Sequence, residues 1–163
     1  NPGFYFVDSI GFKSISFDKS LCKEPVEAGS RKISVLLVEP NKYPKMIEID
    51  DTLEAMQEVV GGDIEEYMPF ADEVAIICNE EGKITGMAPN RAVYEENSRE
   101  MLDIICGKFF IAYAPFEAEK FQSLSPDLAE KYREKFKYPE RFMRVNNEIV
   151  AVPFKPVRAD KER

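Results

Sequence analysis

The sequence predicts an α+β domain: a mixed, mostly antiparallel sheet of about five or six strands, one packed helix and a C-terminal helical tail. Three observations predict it. Residues 33–38 and 74–78 are near-continuous apolar runs rich in Ile and Val, the pattern of strands buried on both faces. Residues 53–60 carry Leu53, Met56, Val59 and Val60 on one helical face, with Gly61-Gly62 behind them. Ser125-Pro126 is a cap followed by a proline suited to the first helical turn, and Leu128, Tyr132 and Phe136 then recur every four residues.

Taken in order, residues 4–7 and 13–17 read as two strands around a turn at Ser9, Ile10 and Gly11. Residues 18–32 are polar, with Pro25 and Gly29, and read as a linker. After the strand at 33–38, Pro40-Asn41 turns the chain, and Met46, Ile47 and Ile49 mark a half-buried return strand. Asp51 and Glu54 form a capping-box pattern before the first helix. Residues 64–68 are a weaker strand because Glu65 and Glu66 interrupt it. Glu80, Glu81 and Gly82 then predict a hairpin loop that returns through residues 83–87, with Gly82 at a position that wants positive φ. Residues 88–91 open a loop, and residues 102–113 are an apolar strand bent at Gly107. Pro139 ends the second helix, and Asn146-Asn147 forms a tight turn before a last strand at 149–152.

With 163 residues, the chain is one domain, or one domain with an appended segment. A chain of this size hides about 70% of its unfolded surface and needs neither disulfides nor metal to fold. No apolar run approaches the roughly 18 residues of a membrane span, and no signal-peptide pattern opens the chain. The first residue is Asn1, so the chain is expected to start inside a longer protein. Histidine is absent, which removes Ser-His-Asp and Cys-His catalysis and Cys/His zinc sites. Cys22, Cys78 and Cys106 are widely spaced, and the last two sit in apolar strings. They read as buried free thiols in a reducing, cytoplasmic setting.

The net charge is −8, and its distribution is uneven. Residues 39–73 hold eleven acids against Lys42 and Lys45. Such a surface repels phosphate backbones, so direct nucleic-acid binding is not expected. It is either a solvated face or a dock for a basic protein. Glu54, Glu58, Glu65 and Glu66 are the candidate interaction residues.

Asn79, Asn90 and Arg91 are the candidate ligand-binding residues. A guanidinium beside an amide suits a carboxylate or phosphate. The competing reading is a loop arginine neutralising Glu80, Glu81 or Glu95. Asp50-Asp51 and Asp63, Glu65 and Glu66 offer oxygen ligands for Mg²⁺, but their spacing is weak. Gly61-Gly62 follows a helix rather than preceding one and is not a phosphate loop. No catalytic residue, metal ligand or cofactor is assigned.

Several segments arrive together. Residues 35–40, 47–50 and 53–62 precede Asn79-Glu80-Glu81-Gly82-Lys83, then Pro89-Asn90-Arg91-Ala92 and Asp103-Ile104-Ile105-Cys106-Gly107. As a set, over about residues 33–114, they resemble a domain-of-unknown-function family met in phage and conjugative-element proteins of bacteria. Residues 121–153 resemble a tail that accompanies that domain. The resemblance carries over no activity. It implies a mobile-element setting, a bacterial cytoplasm and often a larger multidomain parent.

The expected organisation is an N-terminal strand pair and linker at 1–30, a core domain at 31–115 and a helical tail ending in a short hairpin at 116–163. The expected function is a non-enzymatic interaction domain that binds a protein through its acidic surface. The alternatives are a small anionic-ligand binder using the Asn/Arg loop and a carboxylate-based, metal-assisted enzyme.

Overall fold

The computed structural model describes residues 31–156. The expected strand pair at 4–7 and 13–17, and Cys22, lie outside the described residues. The elements are β1 (Lys32–Val38), β2 (Lys45–Asp50), α1 (Leu53–Val60), β3 (Ile64–Tyr67), β4 (Val74–Asn79), β5 (Pro89–Tyr94), β6 (Met101–Cys106), β7 (Phe109–Tyr113), α2 (Pro126–Lys135), β8 (Glu140–Val145) and β9 (Glu148–Pro153). Five strands form one sheet in the order β2-β1-β7-β4-β3, and every neighbouring pair is antiparallel. The hairpins β5–β6 and β8–β9 are separate two-stranded ribbons. This is the expected α+β, mostly antiparallel architecture.

The apolar runs occupy the sheet centre, as their composition requires. Val35, Leu36 and Val38 of β1, Ile76 and Ile77 of β4, and Phe109 to Ala112 of β7 are fully buried. Alternation sorts them onto two sides. Ile33, Val35, Ala75, Ile77, Phe110 and Ala112 pack with Met56 and Val60 of α1. Leu36, Val38, Ile76, Phe109 and Ile111 pack instead with Val93 and Ile105 of the β5–β6 ribbon and with Ala129, Tyr132 and Phe136 of α2 and its end. Phe136 sits edge-on to Phe109 at 5.6 Å, and Phe70 lies 5.2 Å from Tyr132.

The C-terminal segment is therefore not a free-standing helical tail. It is one helix packed into the main core, followed by the β8–β9 hairpin. The segment before α2 also completes the sheet. Leu124 donates its N–H to the Ser34 carbonyl at 3.0 Å, and the Ser34 N–H donates to Ser123 Oγ at 2.8 Å. These bonds serve the part of β1 that β7 does not reach, because the β1–β7 pairing covers only Leu36 to Val38.

Local signals hold at most element ends. Gly61 closes α1 at φ +83°, with its N–H on the Gln57 carbonyl. Ser125 caps α2 through the Leu128 N–H at 3.2 Å, ahead of Pro126. Asn146 and Asn147 both take positive φ and close the β8–β9 hairpin. The α1 cap is Thr52 rather than Asp51, and Thr52 Oγ1 accepts from the Ala55 N–H. The Asp51 side chain is only 6% exposed and pairs with Lys120 at 3.4 Å.

The largest departure follows β4. Residues 83–87 do not return as a strand. Consecutive turns run from Glu80 to Gly86, held by Thr85 N–H on the Glu81 carbonyl and Met87 N–H on the Gly82 carbonyl. The neighbours of β4 are β3 and β7, so neither of its edges is left for residues 83–87. Gly82 does not have positive φ; Gly86 does, at +82°. Gly82 is needed for space, because a Cβ there would fall 2.7 Å from the Cys106 carbonyl oxygen. Gly82→Ala should therefore cost about 1–3 kcal/mol, as overpacking against backbone does. Urea titration reads this, and a variant as stable as the parent rules out the close approach.

Asp72 links the β3–β4 connection to α2. Its carboxylate accepts from Lys131 at 2.6 Å and from the Tyr132 hydroxyl at 2.9 Å. These donors hold its carboxyl below the ordinary value of 3.8. A depressed carboxylate stabilises the fold above its ordinary pKa, and the contribution is lost as pH falls through the folded value. Asp72→Asn should cost about 1 kcal/mol or less at pH 7, since the pair is part-exposed. The deficit should shrink steadily below about pH 4. A deficit unchanged down to about pH 2 shows that the carboxylate charge does not contribute.

Candidate functional site

Asn90 and Arg91 lie in strand β5, not in an exposed loop. The two residues are 1% and 0% exposed. The pairing of β5 with β6 shifts register between Pro89 and Arg91, leaving Asn90 as an extra residue. Neighbours in a regular strand point to opposite faces, and a bulge breaks that alternation. Both side chains can then turn inward and bond to each other, with Arg91 Nη1 on Asn90 Oδ1 at 2.8 Å.

The other hydrogen bonds of the pair go to backbone carbonyls. Arg91 Nε donates to Phe136 O at 3.0 Å, at the end of α2. Nη2 donates to Lys42 O at 2.7 Å, and Nη1 also reaches Glu39 O at 3.4 Å. Asn90 Nδ2 donates to Val38 O and Gly107 O, both at 2.9 Å. The pair ties the β1–β2 loop, the β6–β7 bend and the end of α2 to β5. Burial pulls the guanidinium down to about 10, and the charge of Glu140 partly opposes this. Glu140 Oε1 accepts the Ala92 N–H at 2.8 Å, and its carboxyl is raised by burial. Among the described residues, Arg91 forms no ion pair with Glu80, Glu81 or Glu95; its charged neighbour is Glu140.

Asn79 serves a different junction. Its Nδ2 donates to Val60 O at 3.2 Å and its Oδ1 accepts the Glu81 N–H at 2.7 Å, which fixes the end of α1 against the turns after β4. The three residues proposed to grip one anion do not converge on a pocket. The donors of Asn90 and Arg91 are turned to carbonyls inside the protein.

The four candidate acids are also divided. Glu54 and Glu58 project from α1. Ile64 and Met68, in phase with Glu66, pack on the α1 side, so Glu66 shares that side. Tyr67, in phase with Glu65, packs on the α2 side, so Glu65 lies across the sheet. Among the described residues, none of the four forms an ion pair. Glu39, Asp50, Asp51 and Asp72 do pair, with Lys42 and Lys108, Lys32, Lys120 and Lys131 respectively. Among the described residues, no three His, Cys, Asp or Glu side chains gather as a metal-ligand group.

Sequence reasoning missed one concavity. An open groove of about 440 Å³ runs between the β5–β6 and β8–β9 hairpins. Leu102, Ile104 and Cys106 of β6 line one wall, and Phe142 and Ile149 of the other hairpin face them. Pro89 and Met101 complete its apolar surface. Its charged members, Lys83 and Asp103, are bonded to each other. Cys106 is half-buried and its thiol is raised by burial, while Cys78 is buried and pushed up to about 12. Neither thiol is activated as a nucleophile at neutral pH. Before the hairpins are placed, only the apolar content of β6 and β9 signals this groove.

A family model for a domain of unknown function, DUF3846, matches residues 33–137. The chain belongs to the DUF3846 family. No curated protein and no solved structure matches it. The DUF3846 segment runs from β1 through α2 and contains every carbonyl that Asn90 and Arg91 hold. The β8–β9 hairpin, which supplies one wall of the groove, lies beyond the DUF3846 match. Among the described residues, no helix is long and apolar enough to cross a membrane.

Arg91→Ala should cost this DUF3846 domain about 3–5 kcal/mol, because it leaves buried carbonyls without donors. Arg91→Lys should recover only part of that, since one ammonium cannot reach the carbonyls of both the β1–β2 loop and the end of α2. Urea unfolding measures both. A loss below about 1 kcal/mol for Arg91→Ala would mean that the network is not structural.

Proposed function

We propose that the domain is a protein-binding module that takes an apolar segment of its partner into the groove between its two hairpins. The groove itself carries this reading. Its volume of about 440 Å³ is in the range of ligand-holding clefts, and its lining is apolar apart from one internal ion pair. An occupant there gains by burying side chains and needs no formal charge. The role is binding rather than catalysis. The resemblance to phage and conjugative-element proteins supports a mobile-element setting in a bacterial cytoplasm.

A second surface is the acidic side of α1, where Glu54, Glu58 and Glu66 have no ion pair among the described residues. It suits a basic partner. The groove lies with the β5–β6 ribbon on the other side of the sheet. The two surfaces therefore make separable predictions.

Selection from a random peptide library, followed by NMR mapping, tests both. Peptides that occupy the groove should be apolar and should move the resonances of Leu102, Ile104 and Phe142. Leu102→Glu should weaken them about tenfold or more, matching the loss of one buried leucine contact. Basic peptides that move only α1, and weaken with Glu54→Lys and Glu58→Lys, would replace the groove by the acidic surface. No enrichment of any peptide would end the binding-module reading.

A further inference from the structure

The β8–β9 ribbon has a second face that the groove does not use. Its register pairs Arg141 with Val152, Met143 with Val150, and Val145 with Glu148. Directly paired residues share a face, and successive pairs alternate. These six residues therefore form one face. Glu140, Phe142 and Ile149 belong to the other, which turns toward the groove and β5.

Among the described residues, no element covers the outer face. Met143 is 48% exposed, Val145 45%, Val150 38% and Val152 40%. A two-stranded ribbon alone is marginally stable, and an apolar patch of this kind marks a contact surface. The ends of the face carry opposite charges. Arg141 lies at one end, its guanidinium held 4.4 Å from the centroid of the Phe154 ring. Glu148 lies at the other, beside the Asn146-Asn147 turn. Among the described residues neither forms an ion pair.

A face that is positive at one end, negative at the other and apolar between is complementary to its own reversed copy. We infer that the domain forms a two-fold dimer by packing this face against the same face of a second copy. The axis lies between the ribbons, perpendicular to their strands. It brings Arg141 of each copy to the end of the other that carries Glu148, and stacks the four apolar side chains of each between. Sheets pack face to face about 10 Å apart, a gap that an arginine and a glutamate bridge together. One short ribbon face buries less than the roughly 1,200 Å² of a standard interface, so the dimer is reversible and concentration-dependent. The surface is distinct from the groove, and its occupation leaves the groove open.

Sedimentation equilibrium of the full chain, from about 10 μM to about 1 mM, tests this. The expected result is a monomer–dimer equilibrium that weakens with added salt. Val150→Lys, on an exposed site that leaves the fold intact by circular dichroism, should raise the dissociation constant about tenfold or more. Arg141→Glu should also raise it, and adding Glu148→Arg should bring it back toward the parent value. Met143→Glu provides a second apolar test should Val150→Lys fail to fold. A chain that stays monomeric throughout, or a dimer indifferent to Val150→Lys and Met143→Glu, overturns the proposal. Failure of the double charge exchange to restore association overturns the two-fold arrangement. Peptide capture in the groove should be unaffected by Val150→Lys, which keeps the two readings apart.

Discussion

A guanidinium with no access to water holds this domain together at one point. Arg91 carries its charge into the interior, where the cost of leaving water is large unless every donor finds an acceptor. The acceptors are backbone carbonyls from the β1–β2 loop and the end of α2, joined by the amide of Asn90. Carbonyls cannot move without moving their segments. The requirement to satisfy one cation therefore fixes two chain segments, far apart in sequence, against β5. All of them fall within the residues matched by the DUF3846 family.

The sheet supplies the frame in which that constraint operates. Its three central strands are buried on both faces, so each side needs its own cover. Helix α1 covers one side. The other is covered jointly by α2 and the β5–β6 ribbon, and Arg91 locks those two together. This division of labour also distributes the surfaces. The acids of α1 face away from one side, while the groove opens beside the other, where β6 meets the C-terminal hairpin.

That hairpin is the least committed part of the structure. One of its faces contributes Phe142 and Ile149 to the groove, and the other faces solvent with four large apolar side chains. Such a ribbon gains stability from whatever covers it. In the proposals above, a partner segment fills the inner side and a second copy covers the outer. These are independent events on opposite faces of the same two strands.

Much of the fold was legible locally. Doubly apolar strands, the glycine that closes α1, the Ser-Pro start of α2 and the Asn-Asn turn are each determined by a few neighbouring residues, and each appears where the sequence placed it. Strand partners were not legible, because pairing is decided by which edge is still free. Residues 83–87 have hairpin character, but in the folded sheet β3 and β7 take both edges of β4. The role of Arg91 was hidden for a related reason. An arginine in a Pro-Asn-Arg string looks like a surface ligand, and only a one-residue bulge turns it inward. The sequence by itself determined the chemistry available: no histidine, an acidic middle third and apolar strands. Tertiary structure alone decided which of those groups reach solvent, since burial depends on what packs above a residue and not on what precedes it.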